Sequence, residues 1–231
     1  MTSRRDEIAA GLAKTEQRIH AACHAAGRDR SEITLIAVTK TYPASDVELL
    51  ADLGITDVGE NRHPEAGDKH AEVTAPVRWH FLGGLQTNKA GAVAHYADAV
   101  HSVDRAKLAR SLQRGAEAAG RVLGCSVQVD FDTTDPGRSG VPPDAVDELA
   151  ALIVASEHLR LDGVMTAAPL GADPRPVFEH LVAISQNLRK QHPEAVMISA
   201  GMSADLEQAV EAGATHLRVG RSILGERPNT R

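Results

Sequence analysis

The chain has 231 residues, 42% hydrophobic and 24% charged, an ordinary globular composition that can bury a substantial core. Aromatics make up only 3%, so the core must be aliphatic, and the formal charge of −6 argues against a broad electrostatic grip on nucleic acid. No apolar run approaches the roughly 20 residues of a membrane helix. The start, MTSRRDEIAA, lacks the apolar centre of a signal peptide, so a cytoplasmic location is expected.

Residues 3–26 are predicted helical, since Ile8, Leu12, Ile19 and Ala22 or Cys23 recur at helical spacing among charges. Strand-like runs follow: ITLIAVT (33–39), ITDVG (55–59), RWHFLG (78–83), ADAVHSV (97–103), CSVQVD (125–130), LRLDGVM (159–165), AVMIS (195–199) and THLRVG (215–220). Amphipathic stretches separate them, among them ASDVELLADLG, DRAKLARSLQRGAEAAG, DAVDELAALIVASE and PVFEHLVAISQNLRKQ. Gly54, Gly120 and Gly213 stand where helices should stop. Strands alternating with helices imply a parallel sheet covered by helices. Eight such units suit a closed (β/α)8 TIM barrel with an extra N-terminal helix, one domain over 1–231, that helix capping the barrel bottom. A doubly wound open sheet usually carries a Gly-rich turn after its first strand. Here that strand ends in VTKTYPAS, without glycine.

In a barrel, binding and catalytic groups gather where strands end. The first strand ends in Lys40, which by alternation shares a face with Ile36 and Val38. A strand-end lysine is usually a solvated one. If that face points inward, however, desolvation lowers its pKa and supplies the neutral amine a Schiff base needs. Lys40 alone leaves Schiff-base aldolases and pyridoxal phosphate proteins both open. The last two strand ends choose between them. In SAGMSADLEQAVEAG, Ser203 precedes a helical run as an N-cap would, and a hydroxyl with neighbouring N–H groups can hold a phosphate. In THLRVGRSILG, Gly220 allows close backbone approach to an anion, with Arg221 and Ser222 opening a short helix. Two anion-suited loops facing one lysine read as phosphate plus aldehyde, and pyridoxal 5'-phosphate carries both. Arg218 shares a face with Gly220 and could meet the pyridine nitrogen, where its permanent charge would discourage ring protonation.

Together, AVTKTYPAS, VGEN, WHFLGGLQTNK, HSVD, GRSG, GVM and GMSADLEQAVEAGATHLRVGRSILG resemble the pyridoxal phosphate homeostasis proteins. That family looks like the N-terminal barrel domain of alanine racemase standing alone, and the resemblance covers nearly the whole chain. It implies that Lys40 forms the Schiff base, that Ser203, Gly220 and Arg221 hold the phosphate, and that Arg218 meets the ring nitrogen. Asn61 matches a position near the cofactor. His80, Asn88, Met165 and Ser222 match secondary positions. The implied role is non-catalytic: pyridoxal phosphate held by the lysine, in the homeostasis of vitamin B6 and of amino and keto acid pools, with apo-enzymes as possible recipients. Three departures stand out. Arg62 follows GEN where relatives often have tyrosine, RSG places Arg138 where they often have lysine, and ILG (Ile223 to Gly225) replaces IFG.

The competing readings are a pyridoxal phosphate-dependent amino-acid racemase and a phosphosugar Schiff-base aldolase. Racemisation by two bases needs a proton donor opposite the lysine, and Tyr42 and Tyr96, the only tyrosines, sit in no matching motif. The aldolase needs an acid–base partner near Lys40, for which Glu60 and Asp130 are the candidates at strand ends. GGLQTNKA lacks the glycine and hydroxyl of a P-loop and is expected to be a βα loop. The 11 histidines and the two cysteines, Cys23 and Cys125, show no metal-ligand spacing. A monomer or weak homodimer is expected.

Overall fold

The computed structural model describes residues 2–132, 137–169, 171 and 173–226. Helix α1 (Arg4–Ala25) opens on a capping box: Ser3 accepts from the Asp6 N–H while the Asp6 carboxylate accepts from Ser3. Eight parallel strands follow: β1 (Thr34–Val38), β2 (Asp57–Glu60), β3 (Arg78–Phe81), β4 (Ala99–Val103), β5 (Leu123–Gln128), β6 (Leu159–Met165), β7 (Met197–Ser199) and β8 (His216–Val219). They form a closed barrel in sequence order, with β8 returning to β1 so that Ile36 stands opposite Arg218. Each strand overlaps one of the eight runs expected from sequence, β5 starting two residues earlier than its run.

The crossover helices are α2 (Ala44–Asp52), α3 (Glu65–Glu72), α4 (Ala90–Tyr96), α5 (Ala106–Ala118), α6 (Val146–Val154), α7 (Arg175–Leu188), α8 (Leu206–Ala212) and the short α9 (Arg221–Leu224). Helices α3 and α4 span only 8 and 7 residues, too few turns for a clear 3.6-residue period. Gly54 and Gly120 take φ of +91° and +64° just past α2 and α5, where a side chain would be strained.

The N-terminal helix does not cap the barrel bottom. It runs along the flank against α8 and α9, because its arginines reach partners at the opposite end. Arg18 Nε pairs with Glu207 at 2.7 Å and its Nη1 donates to the Ser203 carbonyl. Arg4 pairs with Asp46 at 2.6 Å and donates to the Leu224 carbonyl. At Gly11 a Cβ would stand 2.3 Å from the Ile223 carbonyl oxygen, so α1 and α9 meet backbone to backbone.

The apolar core lies between sheet and helices, where Leu35, Val58, Phe81, Leu123, Phe178 and Leu181 are among the buried members. Inside the barrel the character changes. Ile36, Ala99, Met165 and Met197 are buried apart from that core. They share the interior with Asp57, His80, His101, Ser199 and Arg218, all buried. Buried polar groups persist only when hydrogen-bonded, and here they bond to one another across the barrel.

Candidate functional site

Lys40 stands two residues beyond β1, half-buried in a turn. That turn is over-determined. Thr41 takes φ +70°, a left-handed conformation that costs a β-branched residue on the order of 1–3 kcal/mol. Its N–H donates to Glu65 Oε1 at 2.9 Å, and the Tyr42 N–H donates to the Thr39 carbonyl at 3.0 Å. The Tyr42 hydroxyl donates to the Gly225 carbonyl at 2.7 Å, tying the first loop to the last. From α3, Lys69 Nζ donates to the Thr39 carbonyl at 2.8 Å and to Glu60 Oε1 at 2.5 Å, and the Thr39 hydroxyl donates to the same Glu60 oxygen. Burial raises the Glu60 pKa, opposed by Lys69. Glu60 therefore works as a clamp on the helix side of the sheet, with the amine partner an aldolase would need at Lys40 replaced by Lys69.

A cleft of about 540 Å³ opens outside this turn, lined by Pro43, Arg62, His63, Glu65, Asp68 and Lys69 among others. None of the cofactor-binding residues expected from sequence lines it.

Ser203, Gly220 and Arg221 do lie in the loops after β7 and β8. Ser203, however, is not the N-cap of α8: Asp205 holds that position, because its carboxylate accepts from the Met202 N–H and the chain turns once more before the helix begins. Ser203 is half-buried in that extra turn, its carbonyl held by Arg18. Gly220 caps the four-residue α9, and a Cβ there would stand 3.0 Å from the Val38 carbonyl oxygen, so the last loop presses closely on β1. Arg221 is exposed and Ser222 half-buried.

Arg218 is 7% exposed in the barrel interior. Its Nη1 donates to Ser199 Oγ at 2.6 Å and its Nη2 to the Thr166 carbonyl at 2.7 Å. No carboxylate is hydrogen-bonded to it among the described residues. Burial lowers its pKa to about 10, and Asp205 acts the other way through space, so it stays charged at neutral pH.

Asn61 follows β2 directly and is half-buried, and a Cβ on Gly83 would stand 2.1 Å from its carbonyl oxygen, so the third loop folds tightly over it. Met165 ends β6, 3% exposed. Two of the secondary positions lie elsewhere. Asn88 is exposed on a 3-10 turn (Thr87–Lys89) that leads into α4. His80 sits within β3, bonded to Asp57 and His101 in the interior, not in a loop. Arg138 donates to Asp130 at 2.8 Å and to the Ala167 carbonyl at 2.6 Å, so Asp130 is engaged as well. Residues 133–136 of the neighbouring loop lie outside the described residues. Thr41, Glu65, Lys69 and Asp57 escaped the sequence reading.

Residues 13–228 match the family model for the alanine racemase N-terminal domain. A Mycobacterium tuberculosis protein described as a pyridoxal phosphate homeostasis protein is 41% identical over 244 residues, covering 97% of this chain and 94% of that one. The structure of PipY from Synechococcus elongatus with pyridoxal phosphate bound superposes with a TM-score of 0.82 at 31% identity, covering 94% of this chain and all of that one. An alanine racemase from Clostridium difficile shares the fold at a TM-score of 0.76 and 16% identity, with 97% of this chain matching 58% of that longer one. The chain belongs to the alanine racemase N-terminal domain family and, within it, to the pyridoxal phosphate homeostasis proteins.

Proposed function

We propose that the chain binds pyridoxal 5'-phosphate and serves in the homeostasis of that cofactor, holding it for apo-enzymes that need it without turning over amino acids itself. The observation that carries this reading is Arg218: a buried, charged guanidinium on the last strand with both Nη groups committed and no carboxylate bonded to it among the described residues. An interior arginine is costly unless it meets an acceptor. The donor set fits an anionic aldehyde with a ring nitrogen, since it combines a half-buried amine, an uncompensated guanidinium and a glycine turn packed on β1.

When bound, the cofactor supplies an aldehyde that condenses with a primary amine and a ring that acts as an electron sink once its nitrogen is protonated. Lys40 would supply the amine, and the strained Thr41 turn would fix where that amine points. Ser203, with the backbone N–H groups at Gly220 and Arg221, would hold the phosphate, while Asn61, Met165 and Ser222 would border the ring. Arg218 donates hydrogen bonds and keeps its proton, so it would hold the ring nitrogen unprotonated.

The surroundings also favour holding over turnover. The Tyr42 hydroxyl is committed to Gly225, and Tyr96 is buried, its pKa raised by burial, in the helix layer. Glu60 and Asp130 are engaged by Lys69 and Arg138. No helix among the described residues is long and apolar enough to cross a membrane.

The test is to load purified protein with the cofactor, add an apo-enzyme, and follow recovery of the recipient's activity alongside racemisation of amino acids. Recovery without racemisation is expected. Amino-acid turnover in the ordinary enzymic range, about 1–1,000 s⁻¹, would overturn the non-catalytic reading.

A further inference from the structure

Behind Arg218 a hydrogen-bonded chain crosses the barrel. Arg218 Nη1 meets Ser199 Oγ at 2.6 Å, Ser199 Oγ meets His101 Nδ1 at 2.9 Å, His101 Nε2 meets His80 Nδ1 at 2.9 Å, and His80 Nε2 meets Asp57 Oδ1 at 2.8 Å. The links join β8, β7, β4, β3 and β2, so they exist only in the closed barrel. All five residues are buried, with Arg218 and His80 at 7% and 5% exposure and His101 at 0%.

The donor rules give this chain a direction. Arginine only donates, so Ser199 accepts from it, which leaves the Ser199 hydroxyl proton available to His101 Nδ1. His101 is neutral, because burial, reinforced by the Arg218 charge, holds its pKa well below the usual value. Accepting at Nδ1, it carries its proton on Nε2 and donates to His80 Nδ1. His80 in turn donates from Nε2 to Asp57. That carboxylate is ionised: burial opposes the charge, but bonds from His80, Arg78 and Thr56 outweigh it and hold the pKa well below the ordinary range. The opposite direction would require protons on both ring nitrogens of His80.

We propose that Ser199, His101, His80 and Asp57 are positioning residues of the site: a one-way hydrogen-bond relay that couples the Arg218 guanidinium to a buried carboxylate at the far end of the barrel. The relay fixes Arg218 in place through Ser199, with no carboxylate hydrogen-bonded to the guanidinium among the described residues to compete for it. Its bearing on a bound cofactor rests on the reading above; its direction does not. The surrounding titratable groups are His216, whose Nδ1 lies 2.8 Å from Thr215 Oγ1, Arg78, which pairs with Asp57 Oδ2 at 2.9 Å, and Asp205 beyond Arg218.

Two measurements test it. In the full chain without cofactor, ¹⁵N-detected imidazole spectra should show His101 as a neutral Nε2–H tautomer, and a proton on His101 Nδ1 would overturn the direction. With pyridoxal phosphate added, Ser199→Ala should weaken binding about tenfold and move the pH midpoint of the bound cofactor's absorbance by about one unit. Ser199→Thr, which keeps the hydroxyl, should restore both. If Ser199→Ala lowers only the melting temperature and leaves affinity and midpoint at wild-type values, the relay is packing and the proposal fails. A wild-type protein that binds no cofactor would count against the proposed function, while the tautomers would still decide the relay.

Discussion

Replacing Lys69 by methionine removes the positive half of a buried pair without changing much volume. Lys69 and Glu60 have side chains only 6% and 2% exposed, and their contact of 2.5 Å is Glu60's main compensation, beside the Thr39 hydroxyl. Glu60 Oε2 already lacks a hydrogen-bond partner among the described residues. Removing one partner of such a pair costs about 3–5 kcal/mol, because a charge is left buried and unpaired. For a chain of this length that corresponds to a melting temperature roughly 6–20 °C lower. The variant also releases the Thr39 carbonyl, which Lys69 holds, so the Lys40 turn should loosen and cofactor retention fall.

The pH dependence follows from the sign of the shift. Without Lys69 the folded Glu60 pKa rises further above its unfolded value, so the deficit shrinks below about pH 4.5 and grows as pH rises through the folded value. Glu60→Gln in the same chain removes the orphaned charge and should recover most of the loss. Thermal melts and urea unfolding of the single and double variants decide it. A single variant melting within about 2 °C of wild type, or a double variant no better than the single, would refute the clamp.

Thr41→Gly removes the φ +70° strain of about 1–3 kcal/mol and a buried hydroxyl without a hydrogen-bond partner among the described residues, offset by glycine's chain entropy of about 0.5–1 kcal/mol, so urea unfolding should place it between level with wild type and about 2.5 kcal/mol more stable. Thr41→Pro, which cannot take that φ and loses the N–H bonded to Glu65, should cost more than about 1 kcal/mol in the same assay. Burial lowers the His216 pKa to about 4 from 6.5. Its folded value lies below its unfolded one, so stability present above pH 6.5 drains away as pH falls toward 4, by up to about 3 kcal/mol. His216→Gln should flatten that slope, read as unfolding free energies at pH 7 and pH 4.5.

The barrel was legible because each strand is a short apolar run between turn residues, and local pattern suffices for that. That Lys40, Asn61, Gly220 and Arg221 stand just past strand ends was legible for a related reason, since the end of each apolar run marks the end of its strand. Ser203 lies in the expected loop but not at the helix cap, a position that Asp205 takes two residues later. The interior relay was not legible. His101 and Ser199 are 98 residues apart, and only closure of the sheet brings β4 and β7 within hydrogen-bond reach. Its one local trace is parity: Asp57, His80, His101, Ser199 and Arg218 are polar residues on strands that otherwise read as apolar. The Lys69–Glu60 pair hid in the same way, because α3 is too short to show a periodic face.

The most direct test of the account is to incubate the protein with pyridoxal phosphate, reduce it with borohydride and map the added mass on its peptides. The account requires the label on Lys40, and it requires Lys40→Ala to lose the absorbing adduct while keeping weaker, phosphate-driven binding. A label on another lysine such as Lys89, or an adduct retained in full by Lys40→Ala, would contradict it.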